Sequence, residues 1–560
     1  MLRIRPIKHV VSRITCRQRS NSKPVRQDPD PTPPTVPDEH ADEHADEPTK
    51  TIRMGSWKAR RILEAQSRFK PIGGREVGEK RPGSRGNVFI TLSEKEIEED
   101  GGRDDVLINK AIVIKDNIST IDYPTTCASA MLKDFQSPYD ATVVRLLREA
   151  GAHISGKTNM DEFGMGSHST NSHFGAVIRP EGLSAGGSSG GSAIAVRAHP
   201  KHAWASLGTD TGGSVRLPAA YCRVFGFKPS YGRLSRWGVV SYANSLDTIG
   251  MFAQRVDNLK AVYNALNHYD PKDPTSMTPA VRQRGDELGA ESKTEQGLRI
   301  GVPIEYNISE LSRDVRESWI RVLERLQVAG RTIVPISLTT TQQALSAYYI
   351  LAPAEASSNL AKYDGIRYGS RSKVPDGAHG VLFSQTRNQG LGEEVKRRIL
   401  LGSYTLSADA IDNYFVQAQK IRRLVQEDFN QVFRRPNPLD KDYPLKRNND
   451  GVDFILCPTA PTNAPTLEDL AKQSPVQSYM NDIFTVPASL AGLPAINVPV
   501  TFQRINDVGK PRPFGAGVQL IGQYGDDLSV LAAAQACISN KRKDFVQARK
   551  LMKADARSHW

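Results

Sequence analysis

The residues best suited to chemistry are concentrated in one glycine- and serine-rich stretch, residues 183–218, which reads LSAGGSSGGSAIAVRAHPKHAWASLGTDTGGSVRLP. Two clusters within it, GGSSGGS at 186–192 and GTDTGGS at 208–214, place hydroxyl groups on backbone that carries few side chains. Glycine weakens helices and strands by roughly 0.5–1 kcal/mol per residue relative to alanine, so such runs persist where backbone must approach a ligand. The stretch is therefore the candidate active site.

Two common kinds of glycine-rich site fit this stretch poorly. A phosphate-binding loop requires a Gly-Lys-Ser or Gly-Lys-Thr triplet, and none occurs here, since Lys201 lies too far along the chain. A nucleophile elbow of the G-x-S-x-G type fits residues 186–190, but it requires a buried apolar strand before it. Residues 177–183 contain Pro180 and Gly182 instead. Both interpretations are disfavoured.

A third interpretation joins the serines to an upstream lysine. The apolar, β-branched run AIVI at 111–114 predicts a strand, and Lys115 follows at its end. The segments IVIKDNI, GGSSGGS and GTDTGGSVRLPAAYC closely resemble the amidase signature family, whose members hydrolyse carboxamides with a Ser-cisSer-Lys triad. Further similar segments are KTNMDEFGMGS at 157–167, GFKPSYGRLSRWGVVSYANSLDTIG at 226–250, EASSNLAKYDGIRYG at 355–369, EEVKRRILLGSYTLS at 393–407 and CPTAPT at 457–462. The resemblance covers most of the chain from about residue 86, and within the family it is closest to the A-type subunits of mitochondrial glutamyl-tRNA(Gln) amidotransferases.

The resemblance implies a role for each member of the triad. Ser214 is the expected nucleophile, Ser188 the relay serine whose preceding peptide bond is cis, and Lys115 the base. Lysine accepts a proton only when neutral, so burial must lower the pKa of Lys115 well below the reference value of ~10.4. The expected oxyanion-hole donors are backbone N–H groups beside the nucleophile, on Thr211, Gly212 and Gly213. Each such donor contributes ~2.7–4 kcal/mol of transition-state stabilisation.

Two features near the triad need a separate interpretation. The spacing between Ser188 and Ser214 is slightly longer than is usual in the family, with the excess in AHPKHAW at 198–204. This segment follows a predicted helix, so the triad geometry should be unaffected. Cys222 is a rival nucleophile, but no histidine is patterned beside it, so we expect a buried core thiol.

The same resemblance implies a glutamine substrate. Glutamine carries an ammonium group and a carboxylate beyond its side-chain amide, so a glutaminase needs an acid and an arginine at the far end of its pocket. By the family pattern Asp482 binds the ammonium group, Arg398 binds the carboxylate, and Tyr348 is a further contact. Arg397 is an equally basic neighbour of Arg398, and only the resemblance selects between them.

Apolar periodicity predicts the elements that position these residues. Helices are predicted at 141–150, 191–198, 258–268, 315–329, 408–433 and 528–539, and strands at 111–118, 299–303, 332–336, 453–456, 495–500 and 517–521. Strands that alternate with helices indicate an α/β fold, and the family fold is a central twisted mixed β-sheet covered by helices on both faces. The family's usual helical lead-in before the catalytic lysine is shortened here.

Composition limits the remaining possibilities. The chain has 560 residues, is 39% hydrophobic, and has no apolar run long enough for a membrane span. Its five scattered cysteines include no C-x-x-C pair, which argues against a disulfide framework or a zinc ribbon. No metal ligand set is apparent. Eight of the thirteen net positive charges belong to residues 1–27, which contain no acid. That composition predicts a mitochondrial targeting presequence, with a nucleic-acid-binding arm as the alternative.

The segments outside the catalytic body are predicted from composition alone. Residues 28–85 are predicted to be a linker that is largely disordered: residues 28–50 are proline-rich and then acidic, and residues 51–85 are basic. His40 and His44 are expected to be solvated. Residues 86–545 are the predicted amidase domain and 546–560 a C-terminal tail. The insertion at 434–451, RRPNPLDKDYPLKRNNDG, predicts a surface loop.

These inferences converge on one function. The resemblance implies a glutaminase subunit in the mitochondrial matrix that supplies ammonia to a B-type subunit, which activates Glu-tRNA(Gln) with ATP and Mg²⁺; a small C-type subunit completes the complex. No cofactor is expected in this chain, and tRNA is expected to bind mainly through the partner. The alternatives are a stand-alone amidase for a small or lipid carboxamide, which has no use for Arg398 and Asp482, and a non-catalytic scaffold, which has no use for the triad.

Overall fold

An eleven-stranded mixed β-sheet organises the residues that the computed structural model describes, which are 86–93, 107–290, 297–374, 380–440, 447–505 and 511–538. Its strands are β1 (Phe89–Leu92), β2 (Ala111–Lys115), β3 (His153–Thr158), β4 (Ala205–Asp210), β5 (Phe225–Lys228), β6 (Thr248–Ala253), β7 (Arg299–Pro303), β8 (Thr332–Ile336), β9 (Phe454–Pro458), β10 (Ala495–Ile505) and β11 (Pro511–Ile521). Across the sheet they follow the order β1-β3-β2-β4-β6-β5-β10-β11-β9-β7-β8. All the described residues belong to one compact unit.

Helices connect most of these strands. In chain order the α-helices of the described residues are α1 (Thr142–Glu149), α2 (Gly190–Ala198), α3 (Arg216–Cys222), α4 (Val256–Leu266), α5 (Pro279–Ala290), α6 (Arg313–Val328), α7 (Thr341–Asn359), α8 (Ser384–Gly390), α9 (Glu393–Thr405), α10 (Phe415–Val432), α11 (Leu467–Ala471), α12 (Pro475–Tyr479), α13 (Val486–Leu490) and α14 (Asp527–Ile538). Short 3₁₀ turns occur at Ala130–Leu132, Glu162–Gly164, Ile304–Tyr306 and Met480–Asp482. The α/β class with a central mixed sheet, predicted from the sequence, is confirmed.

Strand β2 lies inside the sheet and presents the candidate base. It pairs in parallel with β3 on one side and with β4 on the other. All five of its residues are buried, in agreement with the β-branched apolar run of the sequence. Strands of this kind are covered on both faces, and ligand sites in open α/β sheets form in the crevice at the carboxyl ends of the strands. Lys115 occupies that end.

Most predicted element bounds agree with the structure to within two residues, but four do not: the ends predicted at 118 and 500 and the starts predicted at 408 and 517. The predicted helix at 408–433 begins only at Phe415, because the preceding residues form tight turns in which the N–H groups of Ala410 and Ile411 both donate to the carbonyl of Ser407. Short polar side chains at Asp409 and Asp412 compete with the helical backbone for hydrogen bonds. Residues 408–414 contain apolar residues at helical spacing, which explains why the predicted helix began too early.

The last two strands are longer than predicted. Strands β10 and β11 pair antiparallel along their whole lengths, from Ala495 opposite Ile521 to Ile505 opposite Pro511. Polar residues enter both strands in this extension, so the hydrophobic pattern at 495–500 and 517–521 marks only the buried half. Backbone pairing between the two strands continues beyond it.

Several sequence predictions lie outside the described residues. They are the presequence at 1–27, the linker at 28–85 with His40 and His44, the tail at 546–560 and the middle of the insertion, 441–446. The described start of the insertion is attached to the body, since Arg435 is largely buried and bonds Asp526. Residues 447–450 near its other end are exposed, as a surface loop requires, whereas the last residue, Gly451, is buried.

Two kinds of feature are absent from the described residues. None of the described helices has both the length and the apolar character needed to cross a bilayer. Within the same residues, no three His, Cys, Asp or Glu side chains are grouped so that they could hold a metal ion.

Candidate active site

Lys115 ends strand β2 with its amino group surrounded by hydroxyl groups. Its Nζ lies 2.7 Å from Ser188 Oγ, 2.8 Å from Ser189 Oγ and 2.9 Å from Thr209 Oγ1. The side chain is fully buried. Among the described residues no carboxylate is within ion-pairing distance of this amino group. The partners of Lys115 are thus groups that can both give and accept a proton.

Burial makes this lysine a usable base. Desolvation lowers the pKa of Lys115 to about 7, although the more distant carboxylates of Asp161, Asp210 and Asp247 act in the opposite direction. An ammonium group loses its favourable hydration when it is removed from water, which favours the neutral amine. A large fraction of Lys115 is therefore neutral at physiological pH, and the burial that the sequence indicated is present.

Ser188 is held in the loop that precedes helix α2. The peptide bond between Gly187 and Ser188 is cis, and the Ser188 side chain is buried. No side chain fits at position 187, because a Cβ there would overlap with the carboxylate of Asp161 and the backbone N–H of His168. The next residue, Ser189, donates its backbone N–H to the carbonyl of Ser214 at 3.2 Å. The loop is therefore fastened directly to the segment that carries the expected nucleophile.

Ser214 lies in the turn between strand β4 and helix α3, and it is half-buried whereas Ser188 is buried. A fully buried ion pair holds this turn: Arg216 donates to the Asp210 carboxylate from Nε at 3.0 Å and from Nη2 at 2.8 Å. The N–H group of Val215 donates to the same carboxylate at 3.2 Å. Bidentate charge-assisted bonds of this kind fix geometry as well as contributing energy.

The backbone beside Ser214 offers free donors. Among the described residues no acceptor is bonded to the N–H groups of Gly212, Gly213 or Ser214. Side chains crowd this backbone, since a Cβ on Gly212 would lie 2.6 Å from the Tyr348 ring and one on Gly213 would overlap with Thr485. Thr211 is anchored by its hydroxyl, which donates to Asp247 at 2.6 Å. Unsatisfied, fixed N–H groups are what an oxyanion hole requires.

Arg398 is buried on helix α9 within a cage of aromatic rings. Its Nε donates to Glu394 at 2.8 Å and its Nη1 to the Tyr242 hydroxyl at 2.8 Å. The guanidinium carbon lies 5.5–5.8 Å from the ring centroids of Tyr242, Tyr349 and Tyr479. Within the described part of the chain, Nη2 has no hydrogen-bond partner. The arginine therefore retains donor capacity for a substrate anion.

Asp482 is buried beside the same aromatic cage, since Tyr349 contacts both it and Arg398. Its Oδ2 accepts hydrogen bonds from Ser167 Oγ at 2.8 Å and from the Tyr349 hydroxyl at 3.1 Å. Its Oδ1 faces the glycines beside the nucleophile, because a Cβ on Gly213 would lie 3.1 Å from it. Burial raises the pKa of Asp482 to about 6. The carboxylate is ionised above that pH and can accept from an ammonium group.

Tyr348 and Arg398 are buried, whereas Arg397, the neighbour of Arg398, is not. Tyr348 is buried against Gly212, and its ring centroid lies 5.0 Å from that of Tyr349, so it contacts both the backbone beside the nucleophile and the aromatic cage of Arg398. Arg397 is about half exposed, whereas Arg398 is almost fully buried. The structure thus distinguishes the two neighbouring arginines that the sequence pattern alone left equivalent.

Sequence reasoning missed several residues of this site. Two hydroxyls at the lysine belong to the quoted motifs, those of Ser189 in GGSSGGS and Thr209 in GTDTGGS, but no spacing rule selected them. The missed groups around Arg398 and Asp482 are Glu394, Tyr242, Tyr349, Tyr479 and Ser167. Of these, Glu394 carried a readable signal, because an acid four residues before an arginine faces it on a helix.

Cys222 is buried as expected. Burial raises the pKa of its thiol to about 12, and the Sγ–H donates to the carbonyl of Ala185 at 3.4 Å. A thiol with such a pKa is protonated at neutral pH and is a poor nucleophile. It packs in the core cluster beside helix α2.

The amino-acid sequence of this chain is similar to those of known proteins. Residues 93–531 match the family model described as Amidase. The A-type subunit of the mitochondrial glutamyl-tRNA(Gln) amidotransferase of Coccidioides posadasii is 58% identical over 442 residues, which cover 76% of this chain and 87% of that protein. The protein of the same name from Ajellomyces capsulatus is 55% identical over 460 residues, covering 76% of this chain and 88% of the relative.

The fold has similar solved counterparts as well. The crystal structure of the A-type subunit of the glutamyl-tRNA(Gln) amidotransferase from Thermotoga maritima superimposes with a TM-score of 0.63 at 34% identity, covering 85% of this chain and 90% of that one. The family model spans most of the chain, and the relatives are far above the identity at which homology is secure. The chain belongs to the amidase family.

Proposed function

We propose that this chain is the glutamine-hydrolysing subunit of a mitochondrial glutamyl-tRNA(Gln) amidotransferase. The names of its relatives support the complex and the mitochondrial location. The observation that carries the chemistry is the buried Lys115, bonded to Ser188 and lowered in pKa, in a loop that is fastened to the segment of the half-buried Ser214. The protein hydrolyses the side-chain amide of glutamine and delivers the ammonia to a partner.

The first half of the reaction forms an acyl-enzyme. The Ser214 hydroxyl attacks the amide carbon, and its proton passes through the Ser188 hydroxyl to the neutral amine of Lys115. The oxygen of the tetrahedral intermediate accepts hydrogen bonds from the free N–H groups beside Gly212 and Gly213. As the C–N bond breaks, the proton returns from Lys115 through Ser188 to the leaving nitrogen. The products are a glutamyl ester on Ser214 and ammonia.

The second half of the reaction hydrolyses the ester with the same residues. A water molecule attacks the ester carbon and gives one proton to the Ser188 and Lys115 relay. The C–O bond to Ser214 then breaks, and the serine oxygen recovers that proton. Glutamate leaves, and the relay returns to its neutral state. Glutamine and water are thus converted to glutamate and ammonia with no change in the enzyme.

The far end of the pocket selects glutamine. The free Nη2 of Arg398 is available for the α-carboxylate, and the inward-facing Oδ1 of Asp482 is available for the α-ammonium group. A neutral amide makes neither contact. This pair therefore favours a glutaminase over a stand-alone amidase for apolar amides.

The remaining steps belong to partners. We assign activation of Glu-tRNA(Gln), with ATP and Mg²⁺, to a B-type subunit, and we include a small C-type subunit or its equivalent in the complex. Glu-tRNA(Gln) contacts the assembly mainly through the B-type subunit. This division of labour leaves only the glutaminase reaction to the chain described here.

Replacement of the nucleophile tests the proposal. In the complex with its partners, Ser214→Ala should abolish glutamine-dependent formation of Gln-tRNA(Gln), while amidation with ammonium salts continues because the partner's chemistry is intact. Ser309→Ala, at an exposed position, is the control and should retain both activities. Glutamine-dependent amidation near the wild-type rate in Ser214→Ala would exclude this serine as the nucleophile. If the wild-type complex released no ammonia from glutamine, the proposed function itself would be wrong.

A further inference from the structure

Asp161 and Glu162 are adjacent buried acids that point to opposite ends of the site. Asp161 belongs to the catalytic end: its N–H donates to the carbonyl of Ser188 at 3.2 Å. Its carboxylate accepts the N–H groups of Ser169 and Asn171 at 2.9 Å each. The backbone at residue 161 is therefore fixed relative to the relay serine.

Glu162 belongs to the substrate end. Its Oε2 accepts the backbone N–H of Gly392 at 2.7 Å, and its Oε1 accepts the Ser129 hydroxyl at 2.5 Å. Gly392 is the N-cap residue of helix α9, which carries Arg398. The fit is close, because a Cβ on Gly392 would overlap with the Glu162 carboxylate. Ser129 Oγ also lies 3.2 Å from the carbonyl oxygen of Gly390, so Glu162 and this serine both contact the segment that leads into the helix.

The contact between Glu162 and Gly392 stabilises the N-terminus of helix α9. The first N–H groups of a helix lack intrahelical acceptors, and the helix dipole places partial positive charge at that end. A buried carboxylate from another part of the chain both satisfies a backbone donor there and is attracted to the charge. Glu162 therefore fixes where helix α9 begins. The bonds of Glu162 are to the chain itself, to Gly392 and Ser129, so it acts through the helix rather than on a ligand.

We propose that Glu162 is a positioning residue that sets helix α9 so that Arg398 meets the carboxylate of the substrate. The inference rests on the proposed glutaminase function, because it requires a substrate that carries a carboxylate. Loss of the contact should weaken substrate binding more than it slows the chemistry at Ser214.

Steady-state kinetics of the complex with its partners test the proposal. Glu162→Ala should raise KM for glutamine by about 10-fold and change kcat by less than about 3-fold, since ground-state binding is what is lost. Glu162→Gln keeps an oxygen that accepts the Gly392 N–H, so its KM should lie between those of the wild type and Glu162→Ala. Ser129→Ala should raise KM by a smaller factor. Hydrolysis of a neutral primary amide should be unchanged in all three.

A matched control and a double-mutant cycle separate positioning from mere folding. Glu393→Gln removes an exposed acid from the first turn of the same helix and should leave KM unchanged. In an Arg398→Ala background, Glu162→Gln should add less than about 2-fold to KM, because its effect passes through that arginine. The proposal would be overturned if Glu162→Gln raised KM by the same factor in the wild type and in Arg398→Ala. It would also be overturned if the Glu162 variants lost activity on the neutral amide in parallel with activity on glutamine. Absence of glutamine hydrolysis by the wild type would instead contradict the proposed function.

Discussion

Two buried lysines on neighbouring strands differ in whether a carboxylate lies beside the amino group. Lys115 ends β2 and Lys157 lies on β3, paired in parallel with it, and both are fully buried. Lys157 lies 3.6 Å from the Asp116 carboxylate and donates to the carbonyl of Ile118 at 2.7 Å. It also bonds the hydroxyls of Thr125 and Thr120, at 3.0 and 3.3 Å. Lys115 is hydrogen-bonded to three hydroxyl groups and, among the described residues, has no carboxylate within ion-pairing distance. Burial lowers the pKa of each, but only Lys157 has a carboxylate beside it that raises the value again.

The difference shows what turns a buried lysine into a base. An adjacent carboxylate favours the ammonium form and so opposes the effect of burial at Lys157, which is suited to holding the backbone together. Hydroxyl neighbours bind either form of the amine and can themselves carry a proton. Burial and hydroxyl partners are common to both residues. The carboxylate beside Lys157, which Lys115 lacks, separates the structural lysine from the candidate catalytic one.

The largest expected effect is on the relay lysine. Lys115→Ala should lower kcat for glutamine hydrolysis by at least about 10³-fold, because the proton from Ser214 then has no acceptor, and Ser188→Ala should do much the same. The double variant should cost little more than either alone, since members of a catalytic unit are strongly non-additive. Single-turnover ammonia release from the assembled complex measures each value.

Lys110, an exposed lysine just before the other end of β2, provides the matched control. Lys110→Ala should retain near wild-type turnover. Multiplicative losses in the Lys115→Ala, Ser188→Ala double variant would show that the two residues do not form one relay. Activity comparable to wild type in Lys115→Ala would show that Lys115 is not the base, and the proposed difference in role between Lys115 and Lys157 would be wrong.

A smaller effect is expected at the charged end of the pocket. Arg398→Ala should lower kcat/KM on glutamine by about 10- to 100-fold, because a charge-assisted bond contributes about 1.5–3 kcal/mol. The same variant, and Asp482→Ala, should hydrolyse a neutral amide at nearly the wild-type rate. The measured quantity is the ratio of the two efficiencies. A ratio that does not move would make a stand-alone amidase the better description, with Lys115 still its base.

The pH profile should report Lys115 rather than Lys157. The protonated lysine cannot accept a proton, so the active form is lost as pH falls through a pKa of about 7. Below that pH, kcat should fall by about 10-fold per pH unit. Asp482, whose pKa is raised to about 6, loses its charge at still lower pH and should raise KM there. A kcat that stays constant down to pH 6 would exclude Lys115 as the titrating base.

The sequence predicted the role of Lys115 but not the ion pair of Lys157. Motifs identified Lys115 because it ends an apolar strand ahead of two glycine-serine clusters, and the burial that its chemistry requires follows from that strand. Lys157 lies in the KTNMDEF segment that supported the family resemblance, yet no local pattern reveals its pairing with Asp116. That pair joins positions distant in the chain, and such contacts appear only once strands β2 and β3 are paired.

The other features that the sequence predicted are local ones, and those that it missed depend on contacts between distant parts of the chain. Element type and sheet class follow from local periodicity, whereas the true start of helix α10 at Phe415 depends on competing turns that periodicity does not register. Arg398 and Asp482 were named from the family pattern. Their aromatic neighbours Tyr349 and Tyr479 come from two other elements, so only the folded chain brings them to the guanidinium.

The smallest effect on turnover is expected at Lys157. Lys157→Met removes the partner of a buried carboxylate, so the folded state should lose about 3–5 kcal/mol, which denaturant unfolding measures. The relay hydroxyls do not contact this lysine, so the kcat of folded enzyme should stay within about 3-fold of wild type. Asp116→Asn in the same chain should recover part of the stability, because the uncompensated charge is then gone. If Lys157→Met instead destroyed turnover while the protein stayed folded, proton exchange at the site would extend to this second lysine, and burial rather than the choice of partners would decide which lysine is a base.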